Sequence, residues 1–159
     1  MSAQIVLLRH AEKPDDNDRA DLSLRGRIRA AALAVFLPDH FGRPNQLIAT
    51  KASRESDRPA LTLKPLSQSL GLAIDTRFED AEFKQLAKVL ADGPIYKEAR
   101  IVICWHHGTI PQFASALGVH DAPDHWDEDV FDRIWQIDGF PDAPALTRLH
   151  QKLLHGDRD

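Results

Sequence analysis

Two near-continuous apolar runs place the strongest constraint on the fold of this chain. Gln4–Leu8 (QIVLL) and Arg100–Trp105 (RIVICW) have the pattern of strands that are buried on both faces of a sheet. Helical segments and helix breakers lie between them, and this alternation predicts an α/β fold. We expect a three-layer α/β/α sandwich with a mainly parallel central sheet, in which ligands bind outside the carboxyl ends of the strands.

The rest of the chain supplies the other elements of such a sandwich. Ser23 is a predicted helix N-cap, followed by an apolar face of Leu24, Ile28, Ala31, Ala32 and Val35. Further helices are predicted from Pro59 towards Gly71, at Glu82–Leu90 and from Pro111 to Leu117. Further strands are predicted at Asn45–Thr50, Ile74–Phe78, Phe131–Ile137 and Ala145–Leu153.

Length and charge limit the possible partners. The 159 residues fit one domain, 1–159, and 20 basic against 24 acidic residues give a net charge of −4. This balance argues against a nucleic-acid or anionic-membrane partner. A single cysteine, Cys104, excludes an intramolecular disulfide and a cysteine-based zinc site. No apolar run reaches the roughly 18 residues of a membrane span. We therefore expect a cytoplasmic protein, while the oligomeric state is not indicated.

Both apolar runs end in histidine. Arg9-His10 follows the first run and His106-His107 the second. Arginine is a bidentate partner for phosphate oxygens, and a neutral imidazole is a nucleophile near pH 7. A metal site is the competing interpretation, but Arg9 would repel a cation and neither strand end has a ligand spacing typical of metal sites. The sequence therefore predicts a phosphate site without a metal.

Four segments in order resemble one family. Leu8–Lys13 (LRHAEK) resembles the RHG motif of the histidine phosphatase superfamily, which has the phosphoglycerate-mutase-like fold. Leu22-Ser23 with Gly26 is similar to its LTxxGxxQA helix start, and Arg58–Thr62 (RPALT) is similar to its RAxQT motif. Cys104–Gly108 (CWHHG) stands where the family has its second catalytic histidine. Ala11 replaces the usual glycine, and the resemblance covers roughly residues 4–118.

The resemblance implies a catalytic role for each matching residue. His10 is then the nucleophile that becomes phosphohistidine, while Arg9, Arg58 and a second histidine hold the phosphoryl oxygens. Glu12 is expected to orient Arg9 or a neighbouring backbone group. His107 is favoured as the second histidine by the W-x-H and H-G spacing, with His106 as the alternative. Arg54 competes with Arg58. The arginines supply the positive charge, so no cofactor or metal is implied.

A general acid for the leaving group is not fixed by any motif. Glu79, Asp80 and Glu82 lie in the appropriate region, although each could instead stabilise the start of a helix. The short chain leaves no room for an inserted cap, so we expect a shallow, open pocket. The predicted function is a phosphatase acting on a phosphorylated small molecule or a phosphoprotein side chain, as a phosphomonoester or phosphohistidine. A phospho-ligand-binding regulatory module without turnover, or a mutase, is the alternative.

Overall fold

One mixed sheet forms the centre of the molecule. The computed structural model describes residues 2–16 and 18–157, and within them six strands pair in a single sheet. They are β1 (Ala3–Arg9), β2 (Gln46–Ala49), β3 (Ile74–Asp75), β4 (Arg100–Trp105), β5 (Arg133–Phe140) and β6 (Ala145–His150). Their spatial order is β3-β2-β4-β1-β5-β6. The two runs that dominate the sequence, β1 and β4, are neighbours at its centre.

The direction of the last two strands corrects the expectation of a mainly parallel sheet. β1 pairs with β4 in parallel, and β2 is parallel to both β4 and β3. β5, however, is antiparallel to β1, and β6 is antiparallel to β5. The chain returns to the carboxyl edge of β1 through residues 118–132 before β5 begins, so β5 runs back along β1. A tight connection then brings β6 alongside β5, as antiparallel pairing allows.

Helices cover both faces of the sheet. The described helices are α1 (Leu24–Phe41), α2 (Arg58–Leu70), α3 (Phe83–Asp92) and α4 (Ile110–Ala116), with short 3₁₀ turns at Asp80–Glu82 and Pro94–Tyr96. Alternate residues of β1 face opposite layers: Ile5 and Leu7 pack with α3 and α4, whereas Val6 and Leu8 pack with α1 and α2. This confirms the three-layer sandwich. No described helix is long and apolar enough to cross a membrane.

The buried face of α1 differs from the predicted one. Ser23 caps the helix as expected, accepting a hydrogen bond of 3.0 Å from the Gly26 amide. Leu24, Ile28 and Val35, however, are 68%, 50% and 65% exposed. The buried residues of the helix are Gly26, Arg29, Ala30, Leu33 and Leu37.

Two contacts explain this rotation of α1. A Cβ on Gly26 would lie 2.3 Å from the carbonyl oxygen of Glu12, so only glycine permits the close approach of the helix to the loop after β1. Arg29 turns inward because its guanidinium bonds the Glu12 carboxylate at 2.8 Å. The apolar spacing alone gave no indication that a charged residue would lie on the buried face.

Candidate active site

His10 lies directly after β1, and its ring is oriented by its own backbone. Its Nδ1 is 2.7 Å from the carbonyl oxygen of Ala11. A carbonyl can only accept, so Nδ1 carries the proton and Nε2 keeps its lone pair. His10 is 4% exposed. Burial, with the charge of Arg9 as the next cause, lowers the pKa of His10 from 6.5 to about 3. The ring is therefore neutral, with one free nitrogen.

Arg9, the last residue of β1, is a buried cation with an unused donor. Its Nη1 donates to the carbonyl of Glu128 at 2.6 Å and, at 3.5 Å, to that of Val130. Its guanidinium lies 3.8 Å from the ring centroid of Phe131. Its Nε is buried and has no hydrogen-bond partner among the described residues. Burial lowers the pKa of Arg9 from 12.5 to about 10, which leaves it charged at neutral pH. A buried charged donor without an acceptor suits an anionic ligand.

Arg58 is held at the start of α2 by a loop on the far side of the site. Its Nε donates to the Asp21 carbonyl at 3.0 Å and its Nη2 to the Arg19 carbonyl at 2.7 Å. The charge of Arg58 contributes to lowering the pKa values of both His10 and His106. Arg54, its competitor, is exposed. The structure thus brings Arg58, rather than Arg54, to the two histidines.

Thr62 connects the loop that carries His10 to Arg58. Its hydroxyl accepts a hydrogen bond from the Ala11 amide at 2.9 Å and donates to the Arg58 carbonyl at 2.8 Å. Thr62 is 1% exposed, so this bridge is buried. The Arg–x₃–Thr spacing of Arg58 and Thr62 therefore has a structural reason: one turn of helix brings the hydroxyl back to the loop that carries His10.

The structure brings His106, and not His107, beside His10. The rings of His10 and His106 have centroids 5.4 Å apart, and the Thr50 hydroxyl is 3.3 Å from Nε2 of His106. Burial lowers the pKa of His106, and the Asp80 carboxylate opposes that shift. His107 has no ring contact with His10 among the described residues and lines a neighbouring cavity. Among the described residues, the ring contact with His10 is therefore made by His106, the alternative, and not by His107, which the spacing favours. The turn after β4 directs the first histidine of the pair towards β1.

Of the three carboxylates considered as general acid, Asp80 faces the site. Its Oδ2 accepts a hydrogen bond of 2.9 Å from the Thr109 hydroxyl, and its carbonyl accepts one of 3.3 Å from Trp105 Nε1. Its Oδ1 is buried, and no described residue bonds it. Glu79 and Glu82 instead form a reciprocal capping box at the start of the 3₁₀ turn. Asp80 thus has a free oxygen near His106, whereas the two glutamates are engaged with the backbone.

Glu12 contacts α1 rather than Arg9. Its carboxylate accepts hydrogen bonds from Arg29 Nε at 2.8 Å and Arg29 Nη2 at 3.0 Å, and from Arg25 Nε at 3.0 Å. Arg29 also bonds both oxygens of Asp157, at 2.7 and 2.9 Å, and the side-chain oxygen of Gln151 at 2.8 Å. This ion-pair cluster of Glu12, Arg29, Asp157 and Gln151 anchors the loop after His10. The expectation that Glu12 orients Arg9 finds no supporting hydrogen bond among the described residues.

Several contributors to the site were missed in the sequence. Phe131 and the carbonyls of Glu128 and Val130 reach Arg9 from more than 100 positions away, since Glu128 is 119 residues further along the chain. Thr50 and Thr109 carried no motif. Only their positions in the sequence could have indicated a role in the site. Thr50 ends a predicted strand, and Thr109 directly follows His106-His107-Gly108.

A cavity of about 710 Å³ adjoins the site, lined in part by His107, Phe131, Glu12 and Glu128. His10 itself is nearly covered, being 4% exposed, in contrast to the expected shallow, open pocket. The segment before β5 reaches Arg9 and covers this part of the site, although it is not an inserted cap. Among residues 2–16 and 18–157, no group of three or more histidine, cysteine or acidic side chains has the arrangement of a metal site.

Comparisons with known proteins identify the fold. No protein-family model and no curated protein sequence matches this chain. The protein histidine phosphatase SixA, solved with tungstate, superposes with a TM-score of 0.71 at 11% identity, covering 93% of this chain and 97% of its own. A mycobacterial glucosyl-3-phosphoglycerate phosphatase, solved with inorganic phosphate, gives 0.60 at 17% identity, covering 91% and 94%. Phosphoglycerate mutase from Plasmodium falciparum gives 0.64 at 11% identity, covering 96% and 92%.

Proposed function

From the phosphoglycerate-mutase-like fold that this chain shares with histidine phosphatases, we propose that it is a phosphatase that forms a phosphohistidine intermediate on His10. One observation carries this proposal. His10 has a free Nε2, fixed by the bond from Nδ1 to Ala11, next to a second histidine and two arginines. A site that only binds phosphate would not require a buried, neutral imidazole whose Nε2 is left unprotonated.

In the first step, His10 Nε2 attacks the phosphorus atom and the bond from phosphorus to the leaving atom breaks. The leaving atom takes the bonding electron pair. The non-bridging oxygens carry the negative charge, and in this mechanism they are bound by the free Nε of Arg9, the guanidinium of Arg58 and the imidazole of His106. A pKa of about 3 keeps His10 unprotonated and nucleophilic at neutral pH.

Asp80 is the proton donor in this proposal. Protonated Asp80 gives its proton to the leaving oxygen or nitrogen, so the product departs neutral. In the second step, the Asp80 carboxylate takes a proton from water as that water attacks the phosphohistidine. Inorganic phosphate leaves, and both His10 and Asp80 return to their starting forms. The hydrogen bond from Thr109 holds one oxygen of Asp80, which leaves the other for this exchange.

The substrate is a phosphate monoester or a phosphohistidine, on a small molecule or on a protein side chain. The structural neighbours support this class in general terms, since one acts as a protein histidine phosphatase and another as a sugar-phosphoglycerate phosphatase. The cavity beside His107 would receive the group that carries the phosphate. We expect the reaction to need no cofactor, because two guanidiniums and an imidazole can offset the charge of the phosphoryl group.

Hydrolysis of 4-nitrophenyl phosphate by the wild type and His10→Ala tests the proposal. This substrate has a good leaving group, so turnover does not depend on the assignment of Asp80. We expect His10→Ala to lose activity by a factor on the order of 10³ or more, as for other covalent nucleophiles. His120→Ala is the matched control, because His120 is exposed and lies outside the site. Unchanged hydrolysis by His10→Ala would overturn the mechanism. Phosphate binding by a wild type that shows no turnover would identify a binding module instead.

A further inference from the structure

The segment of residues 127–131 (DEDVF), here named the strap, crosses the site immediately before β5. It is anchored at both ends of its turn. The Val130 amide donates to the Asp127 carbonyl at 3.1 Å, and Trp126 Nε1 donates to the Val130 carbonyl at 2.8 Å. Trp126 is buried against Trp135, with ring centroids 5.2 Å apart. The strap is therefore a fixed element, even though the side chains of residues 127–129 are exposed.

Every described partner of the Arg9 guanidinium belongs to the strap. The carbonyls of Glu128 and Val130 accept from Nη1, and the Phe131 ring covers the guanidinium face at 3.8 Å. No carboxylate forms a salt bridge with Arg9 in the described part of the chain. Among the described residues, the strap therefore supplies all the hydrogen bonds and the ring contact that orient this guanidinium.

The geometry of the guanidinium group determines which of its edges the strap leaves free. The group is planar, and its Nε–H and one Nη2–H form a fork that matches two oxygens of a phosphate. Because the strap takes Nη1 and one face of the plane, the Nε edge remains. The Nε of Arg9 is the donor that lacks a partner among the described residues, and Arg9 is 2% exposed. The strap thus leaves free the edge that a phosphoryl group on His10 would need.

We propose that Phe131 is a positioning residue, which holds the Arg9 guanidinium so that its Nε–Nη2 edge faces the phosphoryl group bound at His10. The proposal rests on the proposed function. Phe131 also lies near the nucleophile, with its ring centroid 6.2 Å from that of His10. It acts through Arg9, since it offers no polar atom to a phosphate. The backbone carbonyls contribute to the same orientation whatever side chains stand at positions 128 and 130.

Phe131 has no comparable role in the hydrophobic core. It is partly exposed, and it is absent from the three apolar clusters formed by the described residues. Phe36 provides a matched control. It is a partly buried phenylalanine of α1 that stacks on His40 at 5.2 Å, and it packs against the cluster beneath α1 and α2. A leucine at position 36 removes a similar amount of aromatic surface without touching Arg9.

Isothermal titration with inorganic phosphate, together with kinetics on 4-nitrophenyl phosphate, tests this role. A buried cation–π contact contributes enough that its loss weakens binding on the order of tenfold. We expect Phe131→Leu to raise both the Kd for phosphate and the KM about tenfold, with a smaller fall in kcat. Phe131→Tyr restores both values and Phe36→Leu leaves them unchanged. In the wild type, the Arg9 Nε–H resonance shifts when phosphate is added, and this shift is reduced in Phe131→Leu.

Two controls separate the possible failures. If Phe131→Leu does not fold, Phe131→Met serves the same purpose, because it fills more of the space but has no ring. Wild-type phosphate affinity and Arg9 signals in either variant would overturn the positioning role, whether or not the wild type turns over substrate. Phosphate binding that depends on Phe131, in a protein without phosphatase activity, would support positioning and contradict the proposed function. A wild type that binds no phosphate would overturn both.

Discussion

Two arginines, Arg9 and Arg29, are equally buried but have opposite surroundings. Each is 2% exposed. Arg29 bonds two carboxylates, those of Glu12 and Asp157; burial alone would lower its pKa, but these bonds outweigh that effect and raise it. Arg9 bonds backbone carbonyls and a ring, keeps a donor free, and has its pKa lowered to about 10 by burial. A buried charge with its own counterions is already compensated, so that removing it destabilises the fold, whereas a buried charge without counterions is available to an anionic ligand.

Arg29→Met should have its main effect on stability. Removing the guanidinium leaves the carboxylates of Glu12 and Asp157 with only the half-exposed Arg25 as a charged partner. We expect the free energy of unfolding to fall by about 3 kcal/mol, the lower end of the range for a broken buried ion pair. Urea denaturation measures this loss. The remaining folded protein should keep its affinity for phosphate within a few fold. A variant as stable as the wild type would show that the ion-pair cluster does not support the fold.

Arg9→Met should have the reverse effect. It removes a donor to the phosphoryl group, and we expect kcat/KM for 4-nitrophenyl phosphate to fall on the order of 10²–10³. No described carboxylate loses a partner, so the free energy of unfolding should change by less than about 1 kcal/mol. Kinetics and urea denaturation of both methionine variants complete the comparison. Loss of stability in Arg9→Met that equals the loss in Arg29→Met would remove the distinction between the two sites.

Asp80→Asn tests the proposed proton donor near His106. We expect hydrolysis of an alkyl phosphate, which needs a protonated leaving oxygen, to fall about 10². Hydrolysis of 4-nitrophenyl phosphate should fall much less, because nitrophenolate leaves without a proton. Glu79→Gln is the control, since Glu79 bonds the backbone of its own turn. Equal losses on the two substrates would exclude a general-acid role for Asp80.

The two regions should also lose stability in different pH ranges. The pKa of His10 is lowered from 6.5 to about 3, so the unfolded chain binds more protons in this range and stability falls as the pH drops from 6.5 towards 3. The pKa of Asp157 would be raised by burial, but the hydrogen bond from Arg29 outweighs this and lowers it from 3.8 to about 2, so its contribution is lost only below about pH 4. We expect the free energy of unfolding of His10→Gln to depend less on pH between about 6.5 and 3 than that of the wild type. For Asp157→Asn, the weaker dependence should appear below about pH 4. Urea denaturation at a series of pH values measures both. Part of the dependence at the higher pH values should remain in His10→Gln, because the pKa of His106 is also lowered.

The strands and the first histidine could be predicted from the sequence because their signals are local. A continuous apolar run followed by Arg9-His10 needs no knowledge of the rest of the chain. The buried face of α1 could not be predicted, since it depends on Arg29 finding Glu12 and, 128 residues away, Asp157. His106 and His107 are adjacent, so the backbone turn after β4 decides between them, and no spacing rule encodes that turn. Asp80 was one of three carboxylates until its contact with Thr109 distinguished it.

The phosphoryl intermediate is the most direct test of the whole account. Wild-type protein quenched during turnover of a phosphate substrate should carry a phosphoryl group that is labile to acid and stable to alkali, as expected of phosphohistidine. Peptide mapping should locate it on His10, and His10→Ala should not be labelled. A phosphoryl group on His106 or His107, or steady turnover by His10→Ala, would contradict the assignment of His10 as the nucleophile.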